Sequence, residues 1–331
     1  MADKSSRSLI LYGDGLARFV DPSNTNIHSL ASVATCGFLS LPNAPPGLSF
    51  SLPRYLFINL DFLVLIRIEP YQTENERIVR EFSHLLDASE AYSIASGLKP
   101  KGNGNDISTL AERFMGLKAA LVTDSSTLTS FGKLIGLDVL QLSEICQESD
   151  SFPSDATSSK LLKLLGFEGG KCLDVNLYDL VFVHFRVDEY NNGNNMGILD
   201  SLIGSIMGMA QPGSEILSRL HLSVVLSYGS VTDKDVSVFP IKTPQEDINP
   251  AFIGLVPRQS YTMRGEKTRD DVRHYCPMLV AQWQHGVTRK DLVDTLSFEA
   301  LKKLCGNLVI PADRFIHEVA FKLWKAPKYG A

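Results

Sequence analysis

The chain has 331 residues, enough to bury a large core in one big domain or in two unequal ones. A hydrophobic content of 44% and a charged content of 21% are typical of soluble globular proteins, and a net charge of −5 gives no electrostatic basis for binding nucleic acid or an anionic membrane. The longest apolar stretch, residues 55–68, contains Asn59, Asp61 and Arg67 and is too short to span a bilayer.

The amino-terminal segment and the cysteines predict a cytoplasmic protein. Residues 1–8 lead directly into a predicted strand and contain neither the apolar segment nor the small-residue cleavage site of a secretory signal. The five cysteines are widely spaced and odd in number, and none forms a Cys-x-x-Cys or Cys/His metal pattern. This usage favours reduced core thiols.

Short apolar runs alternate with helical segments along most of the chain. This alternation predicts an α/β fold with a doubly wound, mainly parallel sheet and helices on both faces. The predicted strands are residues 8–12, 37–41, 117–122, 139–142, 180–185, 222–226 and 278–283. The predicted helices are residues 26–34, 73–95, 110–116, 127–135, 158–165, 198–209, 297–305 and 312–324.

Local signals refine some of these elements. Thr73 and Glu76 have the spacing of a capping box at the start of the 73–95 helix. The aromatic and β-branched residues of segment 55–68 predict one long strand or half of a hairpin. Glycine and asparagine predict a loop over residues 99–107, and turn residues predict an excursion over much of 230–271.

Carboxylates follow two of the predicted strands. Asp14 stands between Gly13 and Gly15 after the first strand, and Asp188 follows the 180–185 strand and precedes an Asn/Gly-rich loop. In an open α/β sheet, ligands bind at the carboxyl ends of the strands. A turn aspartate between glycines is the alternative for the first of these carboxylates.

Several segments resemble, in order, the archaeal-type cofactor-independent phosphoglycerate mutases of the alkaline phosphatase superfamily. They are Gly-Leu-Lys-Ala-Ala-Leu-Val at 116–122 with Gly-Leu-Asp-Val at 136–139, Tyr-Asp-Leu-Val-Phe-Val-His-Phe-Arg-Val-Asp-Glu-Tyr-Asn-Asn at 178–192, Cys-Gly-Asn-Leu at 305–308, and the ending Lys-Ala-Pro-Lys-Tyr-Gly-Ala. The first strand with residues 26–41 is similar to the family's first βαβ unit. The resemblance covers roughly residues 9–47, 116–228 and 270–331.

The resemblance implies an alkaline phosphatase-like core, residues 1–50 and 110–331, and a reduced insertion, residues 51–109. Family mutases carry a sizeable inserted domain whose arginines clamp phosphate and carboxylate. Here Arg67, Arg77 and Arg80 are the available arginines. The i, i+3 spacing of Arg77 and Arg80 predicts a solvated helix face.

The resemblance also implies a site for two divalent metals, Mn²⁺, Mg²⁺ or Zn²⁺, that activate a serine or threonine nucleophile. Asp14, Asp188 and His274 match retained metal ligands of the family. A surface or interdomain histidine is the alternative for His274. Because strand ends converge on one crevice, we expect these three residues, together with Asn192 and Ser227, to cluster at the carboxyl edge of the sheet.

Other ligand positions of the family are substituted here. Asn192 stands where the family has a histidine, and Ser227-Tyr228 stands where the family has an Asp-His pair. A neutral amide is a poorer ligand than imidazole for these metals. Ser49 and Ser51 are the nucleophile candidates, but the family's glycine-serine-aspartate turn is missing, and solvated loop serines are the alternative.

These departures predict a degenerate member of the superfamily without catalysis. It would act as a binding or scaffold protein, without a cofactor, for an unknown protein partner or a phosphorylated small molecule. A working metal-dependent phosphomutase or phosphatase with relocated ligands is the alternative, and an anion-binding sensor lies between the two. The replacement ligands would come from Asp233, Asp235, Asp270, Asp271 and His274.

Overall fold

The computed structural model describes most of the chain. The residues it describes are 5–42, 73–97, 107–146, 154–187, 194–231, 235, 238–239, 263–264, 267–268, 272–273, 275–287, 289, 291–304 and 309–327. The segment 55–68, the loop 99–107 except for its last residue, and most of the 230–271 excursion lie outside them.

An eight-stranded sheet forms the centre of the fold, in the order β12-β2-β11-β8-β1-β7-β3-β4. Strand β11 runs antiparallel to both of its neighbours, and every other pairing in this sheet is parallel. The strands are β1 Arg7–Asp14, β2 Thr35–Ser40, β3 Ala119–Val122, β4 Asp138–Leu140, β7 Leu180–Arg186, β8 Leu220–Leu226, β11 Met278–Gln284 and β12 Val309–Pro311.

Two short antiparallel pairs lie outside this sheet. They are β5 Phe167–Glu168 with β6 Lys171–Cys172, and β9 Met263–Arg264 with β10 Lys267–Thr268. The helices are α1 Thr25–Val33, α2 Glu74–Leu85, α3 Ser89–Ala95, α4 Leu110–Arg113, α5 Ser126–Leu134, α6 Leu142–Ile145, α7 Ser154–Leu164, α8 Asn194–Met209, α9 Glu215–Arg219, α10 Phe298–Leu304 and α11 Ala312–Lys322. A 3₁₀ helix, Leu16–Phe19, follows β1.

Helices cover both faces of the sheet, because successive side chains of each strand point to opposite sides. On β1, Leu9 and Leu11 belong to one buried cluster, which includes apolar residues of α1, α7, α8 and α10. Ile10 and Tyr12 belong to a second cluster, which includes residues of α2, α5 and α11. The predicted doubly wound, mainly parallel α/β architecture is therefore confirmed.

The predicted central strands are confirmed, with ends that differ by one or a few residues. Strand β7 lies between β1 and β3, and both pairings are parallel, as expected for a buried central strand. The structure adds the short helix α6 after β4, and α7 begins at Ser154, four residues before the predicted start of the 158–165 helix.

The prediction of one helix over residues 73–95 is wrong, because the chain turns between α2 and α3. Asp87 has a φ of 47°, in the left-handed region that stops a helix. The amide of Ala88 donates to the carbonyl of Ser83 at 2.7 Å, which satisfies an end carbonyl of α2. None of the described helices is long and apolar enough to cross a membrane.

Candidate functional site

Three parallel strands end together at the carboxyl edge of the sheet. The amide of Val187, after β7, donates to the carbonyl of Asp14 at 3.2 Å. The amide of Ser227, after β8, donates to the carbonyl of Gly13 at 3.0 Å. Gly15 has a φ of 76°, and a Cβ there would lie 2.9 Å from Cγ2 of Val187, so the close approach requires glycine.

The carboxylate of Asp14 is buried at this edge, with 2% of the residue exposed. It lies on the same face of β1 as Tyr12, because the two are separated by one residue. The hydroxyl of Ser227 donates to Oδ1 of Asp14 at 2.9 Å and accepts from the amide of Gly15 at 3.0 Å. The strand-end carboxylate and the substituted Ser227 position are thus in direct contact.

A guanidinium group occupies the remaining side of this carboxylate. Nη2 of Arg77 lies 2.9 Å from Oδ1 and 2.8 Å from Oδ2 of Asp14. Nη1 of the same side chain donates to Oε2 of Glu81 at 2.9 Å, and Nε donates to Oε2 of Glu74 at 3.0 Å. Arg77 is therefore a buried cation, 3% exposed, surrounded by three carboxylates.

The charges around Arg77 fix its protonation. Burial by itself would lower the pKa of Arg77, but Asp14 and Glu81 outweigh burial and hold the pKa above its ordinary value. Burial raises the pKa of Glu81, and Arg77 and Arg273 only partly offset this effect. The Arg77 guanidinium is thus a permanent positive charge at the strand edge.

Helix α2 holds Arg77 in this position. Its first turn is fixed by the predicted capping box, in which the amide of Thr73 donates to Oε2 of Glu76 at 2.7 Å and the amide of Glu76 donates to Oγ1 of Thr73 at 3.3 Å. Ile78 and Phe82 anchor the helix in the core cluster that also contains Tyr12. The turn that carries Arg77 therefore lies over the end of β1.

The prediction of a solvated face for Arg77 and Arg80 is wrong. Both residues are buried, Arg80 with 9% exposure. The pattern was misleading because an arginine three residues from another, with glutamates nearby, is typical of an exposed helix surface. Two carboxylate partners of Arg77 lie on α2 itself, but the third, Asp14, comes from β1, which lies far away in the sequence.

The ion-pair network continues beyond Arg77 on the α2 side. Nη2 of Arg273 lies 3.5 Å from Oε1 of Glu81 and donates to the carbonyl of Cys276 at 3.0 Å. Arg273 is 4% exposed, and Glu81 is buried as well. Glu81 therefore lies between two arginines.

A second ion pair borders the site. Arg18 donates through Nη1 to Oδ1 of Asp235 at 2.5 Å and through Nη2 to Oδ2 at 3.0 Å. Nη2 of Arg18 also donates to the carbonyl of Ser230 at 2.8 Å, and the hydroxyl of Ser230 donates to Oε2 of Glu74 at 2.5 Å. Ser230 thus connects this ion pair with the carboxylates around Arg77.

His184 lies beneath the site on β7, next to the ring of Tyr12 at a centroid distance of 5.6 Å. Its Nδ1 is 2.9 Å from Oγ1 of Thr123, and its Nε2 has no hydrogen-bond partner among the described residues. Burial lowers the pKa of His184 to about 4, so the imidazole is neutral at physiological pH. His184 is therefore a buried residue of the core, 3% exposed.

The described residues do not fit a metal ion at Asp14. A metal bound to this carboxylate would lie about 2.0–2.6 Å from an oxygen, in the space next to the Arg77 guanidinium. A divalent ion about 4 Å from this single positive charge would be repelled by about 8 kcal/mol at an effective dielectric constant of about 20, twice the value for two unit charges. Within the described parts of the chain, no group of three or more His, Cys, Asp or Glu side chains has a geometry that could hold a metal.

The structure locates some of the predicted site residues. Asp14 and Ser227 lie together at the strand edge, as expected. Tyr228 is buried, with its ring 4.5 Å from that of Phe239 between centroids. Asp235, one of the proposed relocated ligands, is paired with Arg18. The remaining site candidates fall outside the described residues: Ser49, Ser51, Asp188, Asn192, Asp233, Asp270, Asp271 and His274.

Sequence reasoning did not assign Arg77, Glu81, Arg273 or Arg18 to the site. One signal was present, since Arg77 and Glu81 have the i, i+4 spacing of a helical ion pair. That spacing is compatible with a solvated pair as well as a buried one. Only the packing of α2 on the sheet distinguishes them.

No protein-family model matches the chain, and no curated protein matches it. Solved structures do resemble it. The PH0037 protein of Pyrococcus horikoshii aligns over 100% of both chains with a TM-score of 0.52 and 16% identity. The cofactor-independent phosphoglycerate mutase of Thermoplasma acidophilum aligns over 66% of this chain and 39% of its own, with a TM-score of 0.36 and 13% identity.

A protein of the alkaline phosphatase superfamily from Vibrio parahaemolyticus aligns over 87% of this chain and 63% of its own, with a TM-score of 0.38 and 10% identity. At 16% identity, the similarity to the PH0037 protein is one of fold alone. The chain is an α/β protein with a doubly wound, mainly parallel sheet, and its structural neighbours include members of the alkaline phosphatase superfamily.

Proposed function

We propose that this chain is a degenerate member of the alkaline phosphatase superfamily, related to the phosphoglycerate mutases, that binds a partner without catalysis. One observation carries the proposal. The buried Arg77 guanidinium contacts both oxygens of Asp14 and supplies the positive charge that a metal would supply there. A guanidinium is a fixed cation without an open coordination position, so it neutralises the carboxylate but cannot activate a hydroxyl nucleophile.

The electrostatics of the site favour a permanent structural role for this arginine. Its three carboxylate partners, Asp14, Glu74 and Glu81, come from β1 and α2, so the guanidinium connects the helix to the strand edge. Release of Arg77 to admit a metal would leave the buried carboxylate of Glu81 unpaired on this side, which is unfavourable. We propose a binding or scaffold role for the chain in the cytoplasm, with no metal cofactor.

The first test is a metal titration of the full chain, monitored by thermal melting and by activity. We expect Mn²⁺, Mg²⁺ and Zn²⁺ to leave the melting temperature unchanged, because a ligand raises it only by binding the native state. We also expect no phosphoglycerate mutase and no phosphatase activity, with a metal-dependent phosphatase assayed in parallel as the positive control. Metal-dependent turnover that Asp14→Ala abolishes would reject the proposal in favour of an enzyme with relocated ligands.

A second test asks whether Arg77 itself prevents metal binding. The triple variant Asn192→His, Ser227→Asp, Tyr228→His restores the family's ligand types at the substituted positions. We expect this variant to bind Mn²⁺ only after Arg77→Ala is added, with the metal-free melting curve of each variant as its reference. Equal Mn²⁺ binding with Arg77 present and absent would show that the guanidinium does not stand in place of the metal.

A further inference from the structure

A cluster of polar side chains lies near the amino edge of the sheet, at the opposite end of β1 from Asp14. Nδ1 of His221 on β8 lies 2.9 Å from Oγ of Ser8 on β1. Nε2 of His221 lies 3.2 Å from Nζ of Lys322, the last residue of α11. Nζ of Lys322 also donates to Oε1 of Gln282 on β11 at 2.6 Å. Three neighbouring strands and one helix therefore meet around a single lysine amine.

The hydrogen-bond partners of this amine are neutral. Burial and Lys322 lower the pKa of His221 well below its ordinary value, so the ring is uncharged at neutral pH. Gln282 carries an amide, and no carboxylate forms an ion pair with Lys322 among the described residues. His221 is fully buried, and Lys322 is only partly exposed. The surroundings therefore stabilise an ammonium group poorly.

The same partners suit a neutral amine. Lys322 has two N–H groups in that form, and Oε1 of Gln282 and Nε2 of His221 can accept one each. The His221 tautomer with its proton on Nδ1 donates to Ser8 and leaves Nε2 as the acceptor. The two hydrogen bonds hold the nitrogen in place and leave its electron pair unused, which is the state in which a lysine acts as a nucleophile.

The balance of charges agrees with this geometry. Burial lowers the pKa of Lys322 to about 8, and Glu318, one turn earlier on α11, offsets only part of the effect. At pH 7 about a tenth of the amine is then neutral, compared with less than about 0.1% for an ordinary lysine with a pKa of about 10.4.

We infer that Lys322 is an acylation site, whose amine reacts with an activated acyl compound such as a thioester. The amine attacks the carbonyl carbon, a C–N bond forms and the C–S bond breaks. The thiolate leaves with the electron pair of the C–S bond and takes up the proton that the nitrogen releases. The product amide keeps one N–H donor and removes the positive charge. The inference is independent of the proposed function, because Arg77 and Asp14 lie at the other edge of the sheet.

The test is labelling of the full chain with the acetyl thioester of N-acetylcysteamine, followed by peptide mass spectrometry. Lys163 is the reference, an exposed lysine whose pKa is raised by its hydrogen bond to Glu168. At about pH 7.5 we expect Lys322 to be labelled at least about fivefold faster than Lys163, because more of its amine is neutral. Equal labelling, or no labelling of Lys322, would overturn the inference.

The pH profile gives a second readout. Labelling of Lys322 should be half-maximal near pH 8 and then level off, whereas labelling of Lys163 should still rise at about pH 9.5. A Lys322 profile that follows that of Lys163 would also overturn the inference. Lys322→Arg keeps the positive charge and should remove the label from this peptide, which verifies the assignment.

A charge variant tests the role of the surroundings. Glu318→Gln removes the carboxylate that favours the ammonium form, so the midpoint of the Lys322 profile should move to lower pH. Glu299→Gln removes an exposed carboxylate on α10 and should leave the profile unchanged. An unchanged midpoint in Glu318→Gln would contradict the assigned environment of the amine. None of these results bears on metal-dependent turnover, which tests the proposed function separately.

Discussion

At the scale of single residues, Arg77 defines the candidate site. It is a buried cation that contacts Asp14 and Glu81, both nearly fully buried, and Glu74, which is partly exposed. A buried ion pair adds little net stability compared with apolar residues of the same shape, but removing one partner leaves the other charge unpaired and is strongly destabilising. The consequence of losing Arg77 is therefore larger than that of losing an arginine at the surface.

We predict that Arg77→Met lowers the free energy of unfolding by about 3–5 kcal/mol, because it leaves Asp14 and Glu81 without their main counter-charge. Urea denaturation followed by circular dichroism measures the change. Arg113→Met, which removes a partly exposed partner of Asp87, should cost less than about 1 kcal/mol. Equal losses in the two variants would contradict the assigned role of Arg77.

Ser227 stabilises the strand edge through two hydrogen bonds, one to Asp14 and one from the amide of Gly15. We predict that Ser227→Ala lowers the free energy of unfolding by about 1–3 kcal/mol, since it leaves the buried amide of Gly15 without its acceptor and removes one of the two donors to Oδ1 of Asp14, the other being Arg77. The control is Ser230→Ala, whose hydroxyl bonds to Glu74 at the exposed surface and should contribute less than about 0.5 kcal/mol. Chemical denaturation of both variants tests whether the burial of Ser227 explains its larger contribution to the free energy of unfolding.

At the scale of elements, helices α1 and α8 cross closely on the other face of the sheet. Asp200 of α8 accepts from the amide of Ile27 at 2.8 Å and from Nδ2 of Asn26 at 2.9 Å, so α8 provides an acceptor for the amino-terminal turn of α1. A Cβ at Gly204 would lie 2.7 Å from Cγ of Asn26. The absence of a side chain at Gly204 thus allows α1 to pack closely against α8.

We predict opposite effects for two alanine substitutions on α8. Gly204→Ala should lower the free energy of unfolding by about 1–3 kcal/mol, because it forces Asn26 away from Asp200. Gly208→Ala should raise it by up to about 1 kcal/mol, because a Cβ there meets no atom within 4 Å and alanine favours the helix. Thermal melting of the two variants measures these opposite changes in stability. Destabilisation by both would show that the close approach of α1 and α8 at Gly204 is not the cause of the loss.

At the scale of the whole molecule, buried histidines make stability depend on pH. His184 has a pKa of about 4, lowered mainly by burial. Burial and the neighbouring Lys322 also lower the pKa of His221, whose Nδ1 lies 2.9 Å from Oγ of Ser8. Between the folded value and the unfolded value of about 6.5, the unfolded chain binds more protons, so stability falls as the pH decreases through this window.

We predict that His184→Gln reduces the loss of stability between pH 6.5 and pH 4. The wild-type histidine contributes up to about 3 kcal/mol to that loss, from the difference of about 2.5 units between its two pKa values. Comparing His184→Gln with the unmodified protein separates the contribution of His184 from that of Glu81. The raised pKa of Glu81 has the opposite effect, because it makes stability increase as the pH decreases. Urea denaturation across this range should give a flatter profile for His184→Gln, whereas the exposed-site variant His285→Gln should follow the unmodified protein.

The sequence alone was sufficient to predict the architecture and the position of two residues of the site, Asp14 and Ser227. Strand and helix periodicities are local properties, so the alternation of apolar runs was sufficient to predict β1, β7 and β8 and the parallel sheet. Because strand ends in such a sheet converge, we expected Asp14 and Ser227 to lie close together, and their side chains are in contact. The capping box at Thr73 was also readable, because all of its hydrogen bonds lie within four residues.

Only the tertiary structure decided what surrounds Asp14. Arg77 lies 63 positions away in the sequence, and its local pattern of charges fits a solvated helix face equally well. The break between α2 and α3 depends on the left-handed backbone at Asp87, a conformation that aspartate adopts more readily than most residues but that the presence of an aspartate does not by itself predict. The burial of Arg77 and Arg80 follows from the docking of α2 on the sheet, and docking depends on contacts between distant residues that no local pattern contains.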